Sequence, residues 1–347
     1  MTKLAALVDA ALSDGDRFLE REIFGTEDSQ QIATRIERFL SLRYGQSLDA
    51  LFYRHGVGIV VGVGLRDEGI VLKFHRWRAS KVRLAAIQRM QRNLHANGLA
   101  APLPMVEAMD FGAGVLTVEQ LLVGDVADGH DDEIRRTLAN ELFRFIEAGR
   151  KVHDRSDLEG PALLDVSHVT LWPTPHSPRF DFEATSGGAA WIDELAWSAR
   201  QRVKGYGGEL VVGHLDWRVG NVGFKGTEMT AIYDWDSVGL ASEAFLVGSA
   251  AATFSSDWTK PGGSLPTLEE MRGFVLDYER ARNDDLDEIE LDIADAANLL
   301  LVAYGARCQH SDAVLRRAPS PTVGRSWIEL LRERGARGLL DVSVKGA

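Results

Sequence analysis

The chain has 347 residues, 45% of them hydrophobic and 26% charged, a balance that excludes a disordered or fibrous protein. At roughly 150 residues per domain, that length makes about two domains or lobes, each able to bury a core. Lys and Arg number 39 against 51 Asp and Glu, a net charge of −12, so nucleic acid and anionic membranes are not expected partners, whereas a cationic small molecule would be attracted.

The first 45 residues read as helical. Leu4, Leu7, Val8, Ala11 and Leu12 form one apolar stripe and Ile32, Ile36, Phe39 and Leu40 a second, capped by Asp28 or Ser29. Asp9 interrupts the first stripe and no small-residue cleavage pattern follows, so it does not read as a secretory signal. The texture then changes. Leu51–His55, Ile59–Leu65 and Ile70–His75 are rich in β-branched and aromatic residues, separated by the turns His55-Gly56-Val57-Gly58 and Arg66-Asp67-Glu68-Gly69. This pattern predicts an antiparallel three-strand meander. A helix follows over Ser80–Asn97, then strands over Met105–Phe111 and Val115–Leu122 around a turn at Gly112–Gly114.

Beyond Gly124 the periodicity is helical. Ile134, Leu138, Leu142, Phe145 and Ile146 mark a helix ending near His153, and helices fit Ala189–Lys204, Leu268–Arg282 and Asp285–Arg307. Gly160–Ser186, with Trp172, Pro173, Pro175 and Pro178, has no period and reads as a long ordered loop. The longest apolar stretch, Gly239–Phe254, contains Glu243 and serines, short of the ~20 uninterrupted apolar residues of a membrane helix. Cys308 is the single cysteine, which excludes an internal disulfide framework and is compatible with a reducing compartment. A cytoplasmic protein is expected: a mostly β lobe joined near Leu122–Asp125 to a mostly helical one.

The chemistry concentrates in one stretch. The strand Leu210–Gly213 delivers His214, a loop carries Asp216 and Asn221 five positions apart, and a hairpin of Val222–Phe224 and Met229–Tyr233 returns the chain to Asp234. Two carboxylates and a carboxamide then converge at strand ends, a hard oxygen set that suits Mg²⁺ shared with phosphate oxygens. Phosphoryl transfer to a hydroxyl requires such a set: a carboxylate to orient and deprotonate the acceptor, and oxygen ligands to hold metal on the phosphates. Each acid alone would more often cap a turn; the joint spacing, with Asp234 thirteen positions after Asn221, favours function.

These residues resemble the aminoglycoside phosphotransferase and choline kinase superfamily, relatives of the protein kinases. Its loop usually reads His-Gly-Asp-x4-Asn and is followed by a strand ending in Ile-Asp-(Trp/Phe)-(Glu/Asp). Here the loop is His214-Leu215-Asp216 through Asn221, followed by Ile232-Tyr233-Asp234-Trp235-Asp236, with Leu215 in place of the Gly and Tyr233 inserted. The element order agrees from about Leu51 to Tyr304. The resemblance implies an α+β, bilobal protein-kinase-like fold with a small antiparallel sheet lobe and a mostly helical lobe. Residues 1–46 would be an N-terminal helical segment, 47–123 a nucleotide-binding lobe, and 124–347 the lobe with the catalytic loop and acceptor site.

By the same resemblance, Asp216 is the catalytic base, Asn221 and Asp234 are metal ligands, and His214 and Asp236 support them. Lys73, in Ile-Val-Leu-Lys-Phe, would neutralise phosphates of ATP or GTP, and the backbone of His55, Gly56 and Gly58 would cover them. Glu119–Leu122 falls where a hinge presents backbone to the purine. The glutamate that the family's next helix offers to the lysine is missing: no Asp or Glu occurs between Phe74 and Val106, and Gln88, fifteen residues after Lys73, is a neutral substitute. The helix instead carries Arg76, Arg78, Lys81, Arg83, Arg89 and Arg92 in and around it.

The expected activity is ATP- or GTP-dependent transfer of the γ-phosphoryl group to a small-molecule hydroxyl, with Mg²⁺. Aminoglycosides and other antibiotics, which would make this a resistance enzyme, fit as acceptors; so do amino sugars, choline-like alcohols and homoserine-like alcohols. The acidic run Asp284, Asp285, Asp287, Glu288, Glu290, Asp292 and Asp295 is either a helix start or an electrostatic trap for a polyamine, and Trp172, Trp191, Trp197 and Trp258 either pack a core or stack on an acceptor. Two other readings remain: a metal-dependent phosphoester hydrolase with His214, Asp216, Asp234 and Asp236 as ligands, and a catalytically weak nucleotide-binding module.

Overall fold

The computed structural model describes residues 2–12, 17–45, 49–56, 58–65, 68–76, 79–164, 170–177, 179–257, 265–316, 326–336 and 338. Val57, Arg66, Asp67, Arg78, Pro178 and Trp258, named above, lie outside them, as does the Leu12 side chain. The chain divides into two units, Met1–Val123 and Gly124–Ala347.

In the first unit, helices α1 (Lys3–Leu12), α2 (Phe18–Phe24) and α3 (Ser29–Tyr44) precede strands β1 (Asp49–His55), β2 (Ile59–Gly64) and β3 (Gly69–His75). Helix α4 (Lys81–Ala96) and strands β4 (Pro104–Phe111) and β5 (Gly114–Gln120) follow. The strands form one antiparallel sheet of order β1-β2-β3-β5-β4. Three helix starts have side-chain caps: Thr2 accepts from the Ala5 N–H, Asp28 from the Gln31 N–H and Ser80 from the Arg83 N–H. Gly25 and Gly45 end α2 and α3 in the left-handed conformation.

Strand side chains alternate between faces. Ile59, Val61, Val63, Ile70, Leu72, Phe74, Leu116 and Val118 share one face and form a single core with Ile23 and Phe24 of α2 and Ile32, Ile36 and Leu40 of α3. Phe74 meets Phe24 and Phe111 edge to face, with ring centroids 5.1 and 5.0 Å apart. The N-terminal helices thus cover one side of the sheet. By the same alternation, Lys73 and its register partner Thr117, and then Glu119, stand on the opposite face.

The second unit holds α5 (Asp132–Arg150), α6 (Ala190–Lys204), β6 (Leu210–His214), β7 (Val222–Lys225), β8 (Glu228–Ile232), β9 (Val238–Ser242), α7 (Glu243–Thr253), α8 (Leu268–Arg282), α9 (Glu288–Val314) and α10 (Trp327–Arg334). The strands form two antiparallel ribbons, β6 with β9 and β7 with β8. Helices α7 and α9 cross closely because Gly248 has no side chain: a Cβ there would stand 1.9 Å from the Ala294 carbonyl oxygen. No helix among the described residues is long and apolar enough to cross a membrane.

Candidate active site

The sheet unit supplies one set of residues. The turn after β1 is tight, with the Gly56 N–H donating to the Gly58 carbonyl at 3.0 Å. Gly58 has to be glycine, since a Cβ would lie 2.7 Å from the Phe74 carbonyl oxygen. His55 pairs with Ile59 and so shares the core face; its Nε2 lies 3.8 Å from Glu20 of α2. Whatever His55 gives a ligand in this turn therefore comes from its backbone. At the end of β5, the N–H groups of Gln120 and Leu121 donate to Leu103 and Gly69, and Leu122 follows, half-buried.

Lys73 does not meet Gln88. The Gln88 amide donates to the Val106 carbonyl and accepts from the Ala108 N–H, clamping α4 to β4. A different acid holds the lysine: Glu119, whose Oε1 is 2.8 Å from Lys73 Nζ. Its Oε2 accepts from Gln91 of α4 at 2.6 Å. Sequence reading assigned Glu119 only a backbone contact, because the pairing depends on the β3–β5 register, which spacing does not reveal.

The helical unit carries the loop. His214 ends β6 opposite Val238, and both its ring nitrogens are engaged: Nδ1 accepts from the Asp216 N–H at 3.2 Å and Nε2 meets the Tyr233 carbonyl at 3.0 Å. It staples the loop and has no lone pair for a metal. Beneath lie Trp217 and Trp235, both buried against Phe145 of α5, at centroid distances of 6.0 and 5.8 Å. Trp217 also donates to the Leu138 carbonyl. This packing lets the chain turn over Asp216 without loosening. Leu215, the departure from the family pattern, is accommodated by Gly239, where a Cβ would come within 2.9 Å of the Leu215 methyl.

A single 3-10 turn, Val219–Asn221, carries Asn221 back to Asp216. Its Nδ2 donates to Asp216 Oδ2 at 2.7 Å and to the Asp216 carbonyl at 2.8 Å. The Asn221 side-chain oxygen accepts no hydrogen bond among the described residues. Register sets Val222 opposite Ile232, and the next N–H, of Tyr233, donates to the Asn221 carbonyl at 2.8 Å. Asp234 follows at once, exposed and left-handed at φ 50°. Ser237 holds one of its oxygens at 2.7 Å; the other accepts no bond among the described residues. Asp236 is exposed in the next 3-10 turn.

Arg218 was not anticipated. Its Nε straddles the Asp216 carboxylate, 3.1 and 3.0 Å from the two oxygens. A cation two residues beyond the acid, in the same turn, was the available signal.

The segment before α6 lies within electrostatic reach of Asp216. His176 meets Tyr304 Oη through its backbone N–H at 3.3 Å and through Nδ1 at 2.8 Å. Burial lowers its pKa, and the Asp216 charge opposes that shift. Trp172 packs on Phe182 and Tyr304 and donates to Asp193; Trp191 lies under the Arg332 guanidinium, and Trp197 is exposed.

Much of the acidic run is engaged within the fold. Asp287 and Glu290 form the capping box of α9. Arg202 pairs with Asp292 and Asp295, Arg282 with Asp284 and Glu290, and Arg334 with Asp295. Burial pushes the Cys308 thiol up to about 12, so it is an inert packing group.

Residues 60–290, two thirds of the chain, match the sequence profile described as "Phosphotransferase enzyme family". The chain belongs to the phosphotransferase enzyme family. Among solved structures, this phosphotransferase is similar to an amicoumacin kinase solved with AMP-PNP, Ca²⁺ and Ami (TM-score 0.58, 14% identity, covering 88% of this chain and 94% of that one). It is also similar to a microcompartment-associated aminopropanol kinase (0.56, 14%, 87% and 94%) and to a spectinomycin phosphotransferase solved with ADP and spectinomycin (0.52, 14%, 86% and 93%). No curated protein sequence matches it. The fold shared with these structures is the α+β, protein-kinase-like one.

Proposed function

We propose that this phosphotransferase moves the γ-phosphoryl group of ATP or GTP to a hydroxyl of a small molecule in the cytoplasm. The observation that carries the reading is the Asp216–Asn221–Asp234 arrangement: one amide orients a carboxylate, and two further oxygens, on Asn221 and Asp234, remain uncommitted. Those two oxygens fit a hard divalent cation such as Mg²⁺. When bound there, the ion supplies charge neutralisation across the phosphates.

Each residue then has one task. Lys73 holds phosphate oxygens, and the backbone of His55, Gly56 and Gly58 covers them. Glu119–Leu122 lies beside the base. Asn221 fixes the Asp216 carboxylate by its hydrogen bond. As the acceptor oxygen bonds to the γ-phosphorus and the bond to the β-phosphate oxygen breaks, Asp216 takes the acceptor proton and nucleoside diphosphate leaves. His214 and Asp236 keep the loop and the Asp234 turn in place.

The acceptor class is narrowed by charge. Four acids around α9, Asp284, Glu290, Asp292 and Asp295, are engaged by arginines, which favours a neutral or weakly cationic alcohol over a polyamine. The acceptors that name two structural neighbours, amicoumacin and aminopropanol, support testing antibiotics and amino alcohols together. The hydrolase reading loses support because His214 has both nitrogens engaged and no cluster of three His, Cys, Asp or Glu side chains is poised for metal among the described residues.

The test is a nucleotide-consumption screen over aminoglycosides, spectinomycin, amicoumacin, macrolides, amino sugars and amino alcohols. The expected outcome is acceptor-dependent consumption that falls by about 10²–10⁴-fold in Asp216→Ala, with AMP-PNP still bound. Undiminished turnover in that variant removes the mechanism. Nucleotide binding without transfer to any acceptor leaves a binding module.

A further inference from the structure

Glu119 is 8% exposed and Gln91 2%. A carboxylate at that depth loses several kcal/mol of hydration, about what a close cation and good donors can return. Glu119 has both: Lys73 on Oε1 and Gln91 on Oε2. Its two oxygens are therefore held from different elements, and the carboxylate cannot rotate away from the ammonium without abandoning a donor. Register accounts for the meeting. Val71 pairs with Glu119 and Lys73 with Thr117, so lysine and glutamate are diagonal neighbours on adjacent strands and one face, within reach of long side chains.

We infer that Glu119 is the positioning residue for Lys73, a strand-borne acid doing what a helix-borne acid would otherwise do, with α4 contributing the Gln91 amide. This rests on Lys73 being the phosphate-holding group. The sequence leaves α4 no alternative, since no Asp or Glu occurs between Phe74 and Val106, and the Gln88 amide is engaged by β4. The lysine is thereby referenced to the hydrogen-bond register of the sheet rather than to the tilt of a helix. Such a kinase holds its phosphate-binding ammonium ready whether or not α4 shifts.

The test is the affinity of the full-length protein for AMP-PNP with Mg²⁺ (GMP-PNP where the guanine nucleotide binds more tightly), by calorimetry well below each variant's melting temperature. Glu119→Gln, isosteric but uncharged, is expected to raise Kd about tenfold or more, because the ion pair with the lysine is reduced to a hydrogen bond from the ammonium to a neutral oxygen. Glu119→Asp keeps the charge on a shorter arm and should recover part of that loss. Gln91→Leu keeps the ion pair and should cost less than Glu119→Gln. A purely structural role would lower the melting temperature and leave the Kd of the folded protein unchanged. An unchanged Kd in Glu119→Gln, no recovery in Glu119→Asp, or a larger loss from Gln91→Leu would overturn the assignment. Should Glu119→Gln fail to fold, Glu119→Asp decides: about a threefold weakening supports the role, and wild-type affinity refutes it. Wild-type protein that binds neither nucleotide would instead remove the phosphate role of Lys73 itself, and the inference with it.

Discussion

Asp234 is the residue whose backbone and side chain make separate demands. Its left-handed conformation, φ 50° and ψ 48°, costs most side chains about 1–2 kcal/mol, and Asn and Asp tolerate it best. Its free carboxylate oxygen is the proposed metal ligand. Asp234→Asn keeps the first property and removes the charge; Asp234→Ala removes both. Both variants should lose transfer by about 10²-fold or more, and only the alanine should also lose about 1 kcal/mol of stability. Transfer assays and chemical denaturation separate the two effects, and wild-type transfer in the asparagine variant would exclude the ligand role.

Spacing made the meeting of Asp216 and Asn221 legible, because five residues suffice for one loop to return. It did not make Glu119, Gln91 or Arg218 legible. The first two touch through a strand register and a helix placed on the sheet, information that no local pattern contains. Arg218 sat in plain view, but an arginine in a loop is ordinarily a solvated one. Gln88 was expected at the lysine from its distance along the chain, and its amide met the backbone of β4 instead.

At the level of elements, Gly248 sets the tightest constraint. Its absent Cβ is what lets α7 lie against the backbone of α9, and a carbonyl oxygen 1.9 Å away cannot rotate aside as a side chain would. Gly248→Ala should therefore force the helices apart and destabilise the protein by about 1–3 kcal/mol or more, despite alanine's better helix propensity. A denaturation midpoint at or above that of the parent would show that the crossing is softer than this geometry implies.

The same helix explains part of what periodicity overlooked. Every residue of α7 is buried, so it has no polar face, and the stretch reads only as apolar sequence. The middle of α9, Ile293–Leu300, is similarly enclosed, and the helix runs to Val314, beyond the expected Arg307. Helix α2 spans only seven residues before Gly25 ends it, too few for a repeat, and the short β9 and α10 were missed as well. The amphipathic helices α5 and α8 and the alternating strand β1 were legible for the opposite reason, each having one wet side and one dry side, whereas β2 and β3 were marked by β-branched residues between turns.

For the molecule as a whole, three tyrosines set the alkaline limit. Burial first, then a neighbouring carboxylate, raises the pKa of Tyr53 (Glu20) and Tyr278 (Glu243), and burial does the same for Tyr304 beside Cys308. A tyrosine in the unfolded chain ionises near pH 10, while these remain protonated in the fold. Between those values the native state binds more protons, so the stability these hydroxyls contribute is fully present below about pH 10 and declines above it, by about 1.4 kcal/mol per pH unit for each such group. Melting temperatures followed from pH 8 to pH 11 should fall steeply past pH 10, and Tyr278→Phe should flatten that fall. A pH-independent melt across this range would show that these hydroxyls ionise freely in the fold. Tyr53 lies in the first unit and the other two in the second, so both should weaken.

Arg334, the last residue of α10, is sealed inside the second unit, where it donates to Asp295 Oδ1 at 2.7 Å and to Asn298 Oδ1 at 2.8 Å. The Trp327 ring fills the notch that Gly305 leaves on α9. This short helix behaves like a keystone set late into an arch. Cleavage that removed this helix would strip a cation from Asp295 and open an indole-shaped hollow at Gly305, so slow inactivation on storage should track loss of the helix more closely than any change in the Asp216 loop.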